Sequence, residues 1–276
     1  MSSLIELKDS SIQKLGVFDS GLGGLTVLDQ LLKTHPSHDY IYFGDTAHVP
    51  YGSRDAENVI GLVSEIASYL VDQDCQGLIL ACNTSSALAL SALQEKFNVP
   101  IVGVIDTASK EAARVTHGHI SVLANPLTAR SGVYRQKITQ EHKNSGRDFE
   151  LQVHEIGCPD LVSIIEENRL ETQGAFEILT GYAQKIQDAK TDTLVLGCTH
   201  YPLLLPVLSP LLGKSINIVN PATLIPELLG IRTHNNKGSV EYKVSGSPQS
   251  FDSQASTILA RSVGSEQVTL TKVPKS

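Results

Sequence analysis

With 276 residues, 41% of them apolar, the chain is long enough for one large or two medium globular domains with ample core. A net charge of −7 with no long basic run argues against nucleic acid as a partner, and no apolar stretch approaches a membrane span. Residues 1–14 lack the charged start and apolar block of a secretory signal, so the four cysteines read as reduced thiols of a cytoplasmic protein.

The N-terminal half alternates cleanly between two periodicities. Leu15-Gly16-Val17-Phe18 reads as a strand, Asp19-Ser20-Gly21-Leu22-Gly23-Gly24 as a turn, and residues 25–33 as a helix. Residues 40–43 give the next strand, followed by a polar loop holding Gly44-Asp45-Thr46 and Pro50-Tyr51-Gly52. Val59, Leu62, Val63, Ile66 and Leu70 set a helical spacing over residues 55–73. Residues 78–81 read as a strand, 85–96 as a helix and 100–105 as another strand. The pattern then restarts. Strands are expected at 120–123, 151–154 and 194–196, with helix over most of 128–142, at about 159–168 and over 172–188. Asn144-Ser145-Gly146-Arg147 reads as a surface turn, and further strands are expected at 216–219 and 240–244. Such alternation means βαβ units and parallel sheets. The fold class expected is α/β, with two similar domains and a cleft between them.

Two cysteines share one setting. Each follows a short apolar run and begins a polar cluster: Leu78-Ile79-Leu80-Ala81-Cys82-Asn83-Thr84 and Leu194-Val195-Leu196-Gly197-Cys198-Thr199-His200. An apolar run ended in this way reads as a buried strand delivering its next residue to the rim of a sheet. Ligands of open α/β sheets bind outside the carboxyl ends of strands, so both thiols stand where chemistry occurs. Cys75 and Cys158 have no such cluster and read as packing residues. The turn at 19–24 offers backbone N–H groups suited to a carboxylate, with Asp19 and Ser20 at the strand end. It is not a dinucleotide fingerprint, because position 26 is Thr26 rather than glycine. Gly213-Lys214-Ser215 is likewise no P-loop, since Leu208 stands where that loop needs glycine. No CxxC pair is present, and a metal site of Cys82, Cys198, His200 and Asp19 would need a convergence that spacing does not supply. His200, two residues from a strand-end thiol, is placed to assist proton transfer. Glu166 and Glu167 read from their own stretch as solvated surface charges, and the role of Asp45 is left open.

Thiols have an ordinary pKa of about 8.5, within reach of neutral pH when the surroundings help. One thiolate can take a proton from a carbon while an opposing thiol delivers one to its other face. That inverts the stereocentre without pyridoxal phosphate.

The set Phe18-Asp19-Ser20-Gly21-Leu22-Gly23-Gly24-Leu25-Thr26-Val27, Gly44-Asp45-Thr46 with Pro50-Tyr51-Gly52, Ala81-Cys82-Asn83-Thr84, and Gly197-Cys198-Thr199-His200-Tyr201-Pro202 resembles the glutamate racemases, from about residue 14 to about 230. Aspartate racemases share the two cysteines but usually lack His-Tyr-Pro after the second. The resemblance implies that Cys82 abstracts the α-proton of D-glutamate and Cys198 that of L-glutamate. It implies help from Asp19 on the first side and from His200 and Glu166 on the second; Glu166 matches a Leu-Val-x-x-x-Glu pattern through Leu161 and Val162. Ser20, Tyr51, Gly52, Asn83, Thr84, Thr128 and Thr199, with Asp19 and His200, would hold the substrate. No cofactor or metal is implied, and the partner is a small molecule, with D-glutamate supplied to peptidoglycan. Dimers are frequent in the family, though no residue here identifies an interface for a homodimer. The implied fold has a first α/β domain of residues 1–105 and 217–276, a second of 106–216, and the active site between them. Departures stand at Asp106-Thr107, Ala124-Asn125-Pro126 and Asn220-Pro221-Ala222. Two other functions stay open: racemisation of a shorter diacid such as aspartate, and amino-acid binding or thiol sensing without catalysis.

Overall fold

The computed structural model describes residues 7–9, 11–230, 237–259, 263–264 and 267–271. Contacts divide the chain into two units, one reaching Val104 and resuming at Ala222, the other running Ile105–Pro221.

The first unit begins with β1 (Lys14–Asp19), α1 (Leu25–Thr34), β2 (Asp39–Gly44) and α2 (Ala56–Asp72). Helix α1 turns Leu25, Val27, Leu28 and Leu31 inward, and Asp55 caps α2 by accepting the Asn58 N–H at 2.7 Å. Then come β3 (Gly77–Leu80), α3 (Asn83–Leu88), α4 (Leu90–Lys96) and β4 (Ile101–Gly103). The helix expected over 85–96 thus starts earlier, directly after Cys82, and breaks at Ala89. The strand expected over 100–105 is cut short because the chain turns straight into α5 (Val104–Val115), which the apolar run Ile101-Val102-Gly103-Val104-Ile105 conceals.

The second unit continues with β5 (His119–Ala124), α6 (Pro126–Ser131), α7 (Val133–Asn144) and β6 (Gln152–Gly157). Gly132, with φ of 68°, separates α6 from α7, a left-handed conformation that glycine adopts without strain. It is completed by α8 (Leu161–Glu166), α9 (Gln173–Asp188), β7 (Thr193–Gly197), α10 (Leu205–Leu212) and β8 (Asn217–Val219). Strand β8 pairs with β7 through Thr193–Asn217 to Val195–Val219. That corrects the expected boundary: the strand at 216–219 belongs to the second sheet, and the chain rejoins the first unit at Ala222. There β9 (Val240–Val244), α11 (Pro248–Leu259) and β10 (Val268–Leu270) extend the first sheet. Helices α10 and α11 and strand β10 were not legible in the periodicity.

All pairings are parallel, in the order β10-β9-β2-β1-β3-β4 in the larger sheet and β6-β5-β7-β8 in the smaller. The two sheets share an internal arrangement. In each, the unit's first strand lies between its second and third, so chain order reverses beside it. That reversal point opens the crevice in which open α/β sheets bind ligands. It falls between β1 and β3 in one unit and between β5 and β7 in the other. Register brings the strand ends level, with Asp19 opposite Gly44, Phe18 opposite Leu80, and Ala124 opposite Gly197. Phe18, Tyr40, Tyr42 and Phe43 fill the core of the first unit, Tyr134 and Tyr201 that of the second. Burying each aromatic side chain contributes about 1.5–3 kcal/mol.

Candidate active site

At the reversal point of the first sheet, Asp19 ends β1 fully buried. Its Oδ2 accepts the Gly21 N–H at 3.0 Å and its carbonyl accepts the Asp45 N–H at 3.0 Å. A Cβ on Gly24 would lie 2.4 Å from the Asp19 Cβ, so only glycine lets the start of α1 close on this carboxylate. The Tyr42 hydroxyl donates to the Gly21 carbonyl at 2.8 Å and fastens the turn to β2. Beyond β3, Cys82 precedes α3 with extended backbone and its S–H donates to the Ser20 hydroxyl at 3.5 Å. Burial and the negative charge of Asp19 push the Cys82 thiol up, while the Ser20 and Ser85 hydroxyls and the Ser85 N–H pull the other way. Asn83 and Thr84 are buried in the first turn of α3.

The loop after β2 carries Tyr51 and Gly52 on a short 3-10 turn (Tyr51–Ser53). Tyr51 is 2% exposed, and its hydroxyl donates to Asp45 Oδ2 at 2.5 Å. Asp45 Oδ1 lies 2.7 Å from His48 Nδ1 and accepts the Ser245 hydroxyl at 2.6 Å. Ser245 also accepts the Ala47 N–H at 3.0 Å. Asp45 is therefore a buried anchor for this loop, and Tyr51 is a strut within it whose side chain is already engaged. Gly52, the next residue on that turn, is half-buried.

In the second unit, Cys198 follows β7 and is 8% exposed. Its Sγ lies 3.8 Å from His200 Nδ1, and the other ring nitrogen, Nε2, lies 3.1 Å from Glu166 Oε1. Burial disfavours a charged His200, yet the hydrogen bonds and charges of Cys198 and Glu166 together outweigh it and push His200 up to about 10. Its Nδ1 is placed to share a proton with the sulfur. Thr199 is buried beside the thiol in sequence. Thr128 is buried in the first turn of α6, where Asn125 accepts its N–H and that of Leu127, each at 3.1 Å. Asn125 with Pro126 is thus a helix start, which accounts physically for one departure. Asp106, at another departure, is ion-paired with Lys137. Behind the site the Tyr201 hydroxyl donates to the Cys158 carbonyl at 3.4 Å. Cys75 and Cys158 are both buried, and burial pushes each up to about 12, far from a working nucleophile.

Asp19, Ser20, Cys82, Asn83 and Thr84 gather within the first unit, and Cys198, Thr199, His200 and Glu166 within the second. Glu166 is not the solvated charge that its own stretch suggests, because α8 ends against His200. The residues missed in the sequence are Ser245, whose partner lies 200 residues away, Ser85, and the anchoring role of Asp45. Among the described residues, no group of three or more His, Cys, Asp or Glu side chains could hold a metal ion, and no helix is long and apolar enough to cross a membrane. Each unit presents a buried thiol beside a proton-handling partner, an arrangement suited to moving a proton to or from a carbon acid.

Residues 20–227 match the model of the Asp/Glu/Hydantoin racemase family. A glutamate racemase of Synechocystis sp. is 39% identical over 252 residues, covering 89% of this chain and 88% of the relative. Among solved structures, glutamate racemase isoform RacE1 from Bacillus anthracis aligns with a TM-score of 0.86 at 30% identity, over 95% of this chain and 98% of that one. The Francisella tularensis glutamate racemase, solved in complex with D-glutamate, aligns with a TM-score of 0.83 at 27% identity, also over 95% and 98% of the two chains.

Proposed function

The chain belongs to the Asp/Glu/Hydantoin racemase family, and on that premise we propose that it is a glutamate racemase whose own thiols move the α-proton. The observation that carries the reading is the repeated placement: in each sheet a buried cysteine follows the third strand, at the point where chain order reverses. In the L-to-D direction the Cys198 thiolate takes the α-proton and the electron pair stays on carbon. The Cys82 thiol then gives its proton to the opposite face, leaving a thiolate there. The D-to-L reaction runs through the same steps in reverse, and nothing is oxidised or reduced. The reading requires both thiols to reach one substrate from opposite sides.

The α-carbon is a weak acid, so the barrier must fall through orientation, exclusion of water and hydrogen bonds to the substrate carboxylates. Ser20, Gly52, Asn83, Thr84, Thr128 and Thr199 supply the small donors and acceptors for that task. Burial and Asp19 favour the protonated form of Cys82, which suits it to act as the acid toward D-glutamate, while the Ser20 and Ser85 donors favour the thiolate needed in the reverse direction. His200, whose hold on its proton Cys198 and Glu166 strengthen against burial, assists Cys198. The reaction needs no pyridoxal phosphate or metal, and its D-glutamate product serves peptidoglycan synthesis in the cytoplasm.

The test is racemisation of each glutamate enantiomer in deuterium oxide, with EDTA and without pyridoxal phosphate, followed by circular dichroism and mass. Loss of optical activity with deuterium in the early inverted product supports the reading. Inert glutamate beside active aspartate would move the chain to the shorter diacid. No turnover of either would leave binding or thiol sensing.

A further inference from the structure

Two adjacent serines in the first turn of α3 are both buried, and their hydroxyls differ. The Ser86 hydroxyl donates to the Leu80 carbonyl at 2.9 Å. The Ser85 hydroxyl, on a residue with no exposed surface, has no hydrogen-bond partner among the described residues. A buried hydroxyl without a partner costs free energy, and alanine would fill a helix position better. Its location suggests what the hydroxyl is for. Cys82 is the residue that precedes α3, with φ of −64° and ψ of 123°. A side chain in that place faces the N–H of the third helical residue, which here is Ser85. A thiol sulfur is a weak acceptor, whereas a thiolate accepts strongly. The same hydroxyl is therefore left unsatisfied beside the thiol and satisfied beside the thiolate.

We propose that Ser85 is a positioning residue for the Cys82 thiolate: its buried hydroxyl and N–H, with the Ser20 hydroxyl, form a donor set that is filled only when Cys82 has lost its proton. Donors satisfied in one protonation state alone lower the energy of that state, as the donors of an oxyanion hole do. The influence of Ser85 on Cys82 runs in this direction, opposing burial and Asp19. The other titratable groups facing the sulfur are Tyr42 on β2 and Tyr51 in the loop, both held above the ordinary tyrosine range by burial and so neutral. The inference rests on reading Cys82 as one of the two bases.

The test is the pH profile of Cys82 alkylation by iodoacetamide, read on the Cys82 peptide by mass spectrometry in the full chain without glutamate. In Ser85→Ala the midpoint rises by about one unit, so that about tenfold less Cys82 reacts at a fixed pH below it. Its melting temperature stays at or above that of the parent, since an unsatisfied group has been removed. Ser86→Ala is the control of equal size, and it lowers the melting temperature while leaving the Cys82 midpoint in place. A Ser85→Ala midpoint equal to the parent's, or moved no further than that of Ser86→Ala, overturns the proposal. Racemisation of glutamate by such a chain would leave the proposed function standing, so the two readings fail separately.

Discussion

Nε2 of His200 lies 3.1 Å from Oε1 of Glu166, although 34 residues separate them in the chain. The ring is buried and the carboxylate partly open; burial disfavours a charged ring, and the hydrogen bonds and charges of Cys198 and Glu166 together outweigh it. Glu166→Gln keeps an oxygen in reach of the ring but removes the charge. We expect kcat/KM to fall by about tenfold, the scale of one charge-assisted hydrogen bond. The loss is equal in both directions, because the enantiomers have equal energy and the ratio of the two kcat/KM values cannot change. A Glu166→Gln chain with kcat/KM equal to the parent's in both directions would show that the carboxylate charge plays no part in the reaction.

The same ring links pH to stability. His200 titrates near 10 when folded, against 6.5 when unfolded. Between these values the folded state holds the extra proton, so stability falls with rising pH across that window. The contribution is fully present below about 6.5 and lost as pH passes through about 10. Urea unfolding of the parent and of His200→Asn from pH 6 to 10 measures it. The variant should lack this part of the slope.

Each thiol can be assigned to its enantiomer by exchange. Cys82→Ala and Cys198→Ala should each reduce racemisation in both directions by about 10²–10⁴-fold or more, the scale of one acid or base. In deuterium oxide, Cys82→Ala retains wash-in of deuterium into L-glutamate without inversion, through Cys198. Cys198→Ala retains it for D-glutamate. Either variant racemising near the parent rate would rule out the two-thiol mechanism.

Gly24→Ala tests the closure of α1 on Asp19. The added methyl meets the Asp19 Cβ at 2.4 Å, so the helix start or the carboxylate must shift. Overpacking of this kind costs about 1–3 kcal/mol. Activity should fall further than stability alone explains, measured at a temperature where both chains are fully folded.

Tyr51→Phe removes one donor from a buried Asp45 and frees the loop that carries Gly52. Loss of a hydrogen bond to a charged group costs about 1.5–3 kcal/mol. Contacts made equally to bound substrate and transition state show up in KM, so KM for both enantiomers should rise with kcat nearly unchanged. A drop in kcat with KM unchanged would place the tyrosine in the chemical step instead.

The sequence by itself determined the α/β alternation and the strand-end position of both thiols, because period and polarity are local and survive without the fold. It also held the turn at Asp19 and the polar cluster after each cysteine, which are contiguous. Only the tertiary structure decided that β8 belongs to the second sheet, since pairing partners depend on register across the chain rather than on pattern within it. Only the tertiary structure turned Glu166 towards His200, engaged Tyr51 with Asp45, and brought Ser245 to the same carboxylate from the far end of the chain. Hydrogen bonds of this kind act over a few ångströms, and which distant residues come that close is settled by how the strands and helices pack.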